Sequence, residues 1–190
     1  MVLAFSGKIG SGKSSVSAAA ADALNLPWVS FGDYVRKQAV AKHLESSRQN
    51  LQDLGQKLLK ADAEGFCQAV LSQAPDWQHG LVVDGIRHVD VLTIIKRLVI
   101  PQQLIHIHLA LDEPMREARV TSREGVVEES ERIRMNNHPT EEQVLELLPS
   151  IADVVVSSTG TLDTVVEKVK TSVESLLTHT SATTLSSEQH

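Results

Sequence analysis

A chain of 190 residues, 42% apolar and 22% charged, can bury one sizeable core and excludes a low-complexity or fibrous chain. Its apolar runs are all far shorter than the roughly 18 residues of a membrane span, and a formal net charge of −6 excludes a broad nucleic-acid-binding face, so an anionic ligand must be met by locally gathered cations. The single cysteine, Cys67, excludes an internal disulfide framework; with no basic-then-apolar leader in the opening residues, the expected location is the cytoplasm.

Residues 2–6, VLAFS, read as a short apolar strand, and from Lys13 the pattern becomes alanine-rich, with Val16, Ala19, Ala20 and Leu24 at helical spacing. Between strand and helix stands GKIGSGKSS, whose first eight residues satisfy G-x-x-x-x-G-K-[ST] in the required context. Glycines at Gly7, Gly10 and Gly12 let backbone N–H groups, with those of Ser11 and Ser15, converge on phosphate oxygens at a helix N-terminus. Lys13 is placed to reach the β- and γ-phosphates of ATP, and the Ser14 hydroxyl is a hard-oxygen ligand for Mg²⁺. ATP and Mg²⁺ are therefore the expected ligands.

A second strand is expected at 28–30, then helices at 34–45 (Val35, Ala39), 49–59 (Leu51, Leu54, Leu58) and 62–73 (Phe66, Ala69, Val70), stopped by Pro75. Cys67 falls on the inner face of the last of these and reads as a packing thiol. A third strand, 81–84, closes on Asp84-Gly85; Asp84 is a candidate to hold the magnesium shell through water, although Asp-Gly also turns well. Val91, Ile94, Ile95 and Leu98 mark a helix up to Pro101, and 104–111 is the longest strand. His106 and His108 share one face of it, and without a third ligand they read as a hydrogen-bonded pair rather than a metal site. The next helix, 113–122, carries Pro114 just inside its start. Arg116, Arg119 and Arg123 form a basic stripe on it that also reads as a solvated face offset by Glu113, Glu117 and Glu124. After a charge-dense stretch come a fifth strand at 153–157 and the apolar stripe from Leu162 to Leu177; residues 178–190 have no periodicity and read as frayed.

Near-continuous apolar strands alternating with helices predict an α/β fold, a three-layer sandwich around a five-stranded parallel sheet with its ligands beyond the strands' carboxyl ends. Gly7, Asp33, Asp84 and Asp112 all fall at that edge. FGDYVR and DGIR each place an arginine three residues after an acid there, so Arg36 and Arg87 would form a second anion site for an acceptor phosphate. Read singly, Arg36 is equally a helix-surface charge and Arg87 a helix N-terminal residue.

These segments carry a resemblance. GKIGSGKSS, FGDYVRK and LVVDGIR resemble the phosphate loop and the two acid-arginine segments of nucleoside monophosphate kinases such as adenylate kinase, with the third-segment arginine one position early. The loop and the C-terminal third, ARVTSREG through IADVVVSSTGTLDTVVEKV, also resemble dephospho-coenzyme A kinase. The resemblance implies a P-loop nucleotide-kinase fold with strand order 2-3-1-4-5 and a single domain over 1–178. Within it a core (1–33, 76–122 and 150–178) would carry an acceptor-binding helical insert at about 34–75 and a lid at about 123–149, followed by a flexible tail, 179–190. It implies that Asp33 orients or deprotonates the acceptor, that Arg36 and Arg87 bind its phosphate, that Arg119 packs on adenine, and that Arg123, with Arg132 and Arg134 of the lid, meets the transferring phosphate. The expected partners are ATP and a small phosphorylated acceptor, with neither nucleic acid nor membrane, in a monomer or homodimer. Transfer to a ribose hydroxyl, or ATP binding by a regulatory module, are the alternatives; the absence of an N-K-x-D segment disfavours a signalling GTPase.

Overall fold

The computed structural model describes residues 1–124 and 143–187. Strand β1 (Val2–Gly7) leads into helix α1 (Lys13–Leu24), and β2 (Trp28–Ser30) into α2 (Phe31–Ala41), α3 (Arg48–Ala61) and α4 (Ala63–Leu71). A 3-10 turn (Trp77–His79) precedes β3 (Leu81–Ile86), α5 (Val89–Leu98), β4 (Leu104–Ala110), α6 (Glu113–Glu124), α7 (Leu147–Ser150), β5 (Val154–Ser157) and α8 (Leu162–Ser187). The five strands are all parallel, in the order β2-β3-β1-β4-β5, as the sequence led us to expect. Burial on both faces explains why β1 is an unbroken apolar run. Leu3 and Phe5 pack with Ile105, Ile107 and Leu109 beneath α1 and α8, whereas Val2 and Ala4 join Val83, Val35, Cys67 and Ile95 on the opposite face.

Several boundaries differ from the expectation, and two of them shape the site. Helix α2 begins at Phe31 rather than at residue 34, because the Ser30 hydroxyl accepts a hydrogen bond from Asp33 N (3.3 Å) and caps the helix directly at the end of β2. Asp33 and Arg36 thereby fall one turn apart on the same helix. Strand β3 runs on through Ile86 instead of ending at Asp84. Gly85 has φ +92°, a conformation open to glycine, and the β1–β3 register slips between Phe5 and Ser6 to admit one extra residue. Asp84 consequently lies inside the sheet and is buried. At the other end, α8 continues to Ser187, well past the last apolar stripe residue, since no glycine or proline follows Leu162 to stop it.

Candidate active site

Residues 7–12 form a loop closed by a hydrogen bond from Ser11 N to the Lys8 carbonyl (3.1 Å), and Gly12 caps α1. Gly10 has φ +87°, and a Cβ there would stand 2.7 Å from Val120 Cγ2 and 3.1 Å from the Arg116 carbonyl oxygen, so the loop lies directly against α6. Arginines of α6 fasten it. Arg116, only 5% exposed, donates from Nη1 to the Ile9 carbonyl (3.2 Å) and pairs with Glu113, which also accepts from Lys8 Nζ (3.1 Å). The Arg116 hydrogen bond is the main reason that the Glu113 carboxyl is held down at about 2. Arg119 donates to the carbonyls of Ser11 (3.4 Å) and Ser158 (3.1 Å), joining the loop to the turn after β5. The solvated-stripe reading thus fails for Arg116. Arg119, which the resemblance assigns to an adenine, has its guanidinium engaged with these two carbonyls.

At the loop's other end Lys13 and Ser14 meet one carboxylate. Lys13 Nζ donates to Asp84 Oδ1 (2.9 Å), and Asp84 Oδ2 accepts from Ser14 Oγ (2.8 Å) and Ser30 Oγ (3.4 Å). Both ions of the pair are buried, and burial pushes the Lys13 ammonium below its ordinary pKa; Asp84 opposes the shift, while Arg87 and Arg36 add to it. The Ser14 hydroxyl and an Asp84 carboxylate oxygen in direct contact are the hard, mixed neutral and anionic donors that suit Mg²⁺. Ser11 Oγ is buried in the loop without a hydrogen-bond partner among the described residues, which suits a loop built to close on an acceptor-rich ligand.

A cavity of about 460 Å³ opens from this point. Gly10, Gly12, Lys13, Ser14 and Ser15 of the loop and the start of α1 line it, together with Arg36 and Arg87. Gly7, Ser11, Asp33, Asp84 and Arg119 do not line it; Asp33 instead forms an ion pair with Arg36, which the helical start at Phe31 makes its neighbour. Helix α3 contributes what the sequence reading missed, since Arg48, Gln52 and Gln56 also face the cavity. Their four-residue spacing, shared with Leu51, Gly55 and Leu59, was the available signal. Burial pushes Arg87 down to about 10, opposed by Asp84 and reinforced by Arg48 and Arg36, which places both of these guanidinium groups within electrostatic reach of Arg87.

His106 and His108 form a buried pair centred on Ser6, whose hydroxyl meets His106 Nε2 at 2.7 Å and His108 Nδ1 at 2.9 Å. Among the described residues no cluster of three or more His, Cys, Asp or Glu side chains could hold a metal ion. Arg132 and Arg134, the side chain of Arg123, and most of the expected lid lie outside the described residues. No helix among the described residues is long and apolar enough to cross a membrane.

The fold has solved counterparts among P-loop kinases. A gluconokinase from Sinorhizobium meliloti matches all of this chain and 97% of its own at 19% identity and a TM-score of 0.59. A shikimate kinase from Aquifex aeolicus matches 93% of this chain and 98% of its own at 16% identity and a TM-score of 0.60. In sequence, the chain is 29% identical over 174 residues to a UPF0200/UPF0201 protein of Archaeoglobus fulgidus; the match takes in 89% of this chain but 54% of that relative, about half its length. Residues 6–134 match the model of the AAA domain, a span that holds the phosphate loop, Asp84 and both loop-anchoring arginines and exceeds half the sequence, and the chain therefore belongs to that family.

Proposed function

We propose that the chain is a magnesium-dependent small-molecule kinase that transfers the γ-phosphoryl group of ATP to a nucleoside or deoxynucleoside monophosphate. The observation that carries this reading is the cavity in which Lys13 and Ser14 face Arg36, Arg48 and Arg87. A triphosphate site alone needs one set of cations, whereas a second anionic substrate needs another across from it. The loop and Lys13 take the donor phosphates, and Ser14 and Asp84 would hold magnesium, which when bound neutralises charge on those phosphates. Arg36 and Arg87 take the acceptor phosphate, and Asp33 orients it through Arg36, with which it is ion-paired. An oxygen of that phosphate forms the new bond to the γ-phosphorus as the bond to the bridging oxygen breaks, giving ADP and a nucleoside diphosphate. Catalysis of this kind rests on positioning and on gathered positive charge, to which Arg123 and Arg132 would add.

The test is a magnesium-ATP assay with the full chain over AMP, GMP, CMP, UMP, their deoxy counterparts, dephospho-coenzyme A, gluconate and shikimate, scored by product. The expected product is a nucleoside diphosphate. Arg87→Ala should raise the acceptor KM by about tenfold or more with the ATP KM little changed, and Lys13→Ala should reduce turnover by about a hundredfold or more. ATP hydrolysis indifferent to every acceptor would overturn the kinase reading, and a product from gluconate, shikimate or dephospho-coenzyme A alone would overturn the monophosphate.

A further inference from the structure

Helix α3 brings into the cavity a group that phosphate binding does not explain. Gln52 lies one helical turn beyond Arg48 on the same face, and its Nε2 is buried with no hydrogen-bond partner among the described residues. Buried amide donors are rarely left unmade in folded proteins, and those that remain often await a ligand or water. Part of the surrounding wall is apolar, with Phe31, Leu51, Leu59 and Phe66 lining the same cavity. Phe66 is fixed in place, edge to face with Phe31 at 5.1 Å and tilted against Tyr34 at 5.6 Å. Rigid apolar walls match the two faces of a flat ring, and a buried amide matches a polar atom on that ring's edge. A sugar acid or cyclic polyol, with hydroxyls on every side, would leave those four apolar side chains unmatched. We infer that the acceptor carries a heteroaromatic base and that Gln52 is the residue that reads its edge, donating from Nε2 to a ring nitrogen or carbonyl oxygen. Arg48, one turn earlier, stands beside Arg87 on the phosphate side of the same ligand. This inference rests on the monophosphate reading above and deepens it.

The experiment compares wild type with Gln52→Leu, which removes the amide at similar size, and Gln52→Glu, which keeps the shape but replaces the donor by an acceptor. Each is assayed with magnesium-ATP and the eight ribo- and deoxyribonucleoside monophosphates. For the base that wild type prefers, kcat/KM should fall about tenfold or more in both variants, and the ratio between best and worst base should shrink by a similar factor. The ATP KM should stay within about twofold. Gln52→Leu should fold with a thermal midpoint at or above that of wild type, because it relieves an unmet donor. Equal losses on all bases, an unchanged preference, or a marked loss of stability in Gln52→Leu would each overturn the base-reading role while leaving the kinase reading intact. A wild type that phosphorylates no nucleoside monophosphate would overturn both.

Discussion

Ser6 shows how one residue can set a physical property that the active site does not use. Ser6 Oγ has one proton to give and lone pairs to accept with, so at most one of the two imidazoles takes a proton from it, and that ring is neutral. Burial, reinforced by the neighbouring His106, pushes His108 down to about 4. Between about 4 and the ordinary value of 6.5, the unfolded chain binds a proton that the native chain refuses. Stability therefore falls as pH drops through that window and levels off below it, by about 3 kcal/mol in all. Urea denaturation at pH 7.0 and pH 4.5 should show this loss, and His108→Gln should remove most of it. At this scale the sequence was legible where chemistry is local, as in Gly7–Ser14, whose eight consecutive residues specify a loop by themselves. It was less legible where partners are distant: Asp84 was visible as a strand-end acid, but its contacts with Lys13, Ser14 and Ser30 come from two other elements, α1 and β2.

Among the elements, α6 has the most to do with the loop. Lys8, Glu113, Arg116 and the Ile9 carbonyl form a continuous chain of ionic and hydrogen-bonded contacts, so the helix holds the first half of the phosphate loop in register. Arg116→Leu should loosen that half, raising the ATP KM by about tenfold while the acceptor KM moves little; steady-state kinetics with each substrate varied in turn would check it. Periodicity located all three helices between β2 and β3, because apolar residues recur on their inner faces, while Pro114 marked the start of α6. It could not tell which polar face of α3 looks into a cavity, since Arg48, Gln52 and Gln56 have the same spacing as residues facing water. The same ambiguity made Arg116 resemble a solvated charge, although it is buried against Ile9.

For the molecule as a whole, the alternation of apolar strands with helices was enough to give the sheet and, with the resemblance, its order. Its two buried layers make Cys67 a reporter of opening: the thiol is fully buried in α4, and burial chiefly pushes its pKa up to about 12. Labelling by a thiol reagent at neutral pH should be at least about a thousandfold slower in the native chain than in urea, because it must wait for that layer to part from the sheet. Ser30 has a wider consequence. Its hydroxyl caps α2, which carries Arg36, and donates to Asp84, which holds Lys13 and Ser14. The start of α2 and the carboxylate that holds Lys13 and Ser14 thus meet at a single oxygen atom. A ligand that draws Asp84 away from that oxygen alters the start of α2, and one that shifts α2 alters Asp84. If the two halves hold the two substrates proposed above, their occupancy is heterotropically linked, and the linkage is reciprocal: whatever factor one substrate imposes on the other's affinity must be returned in full.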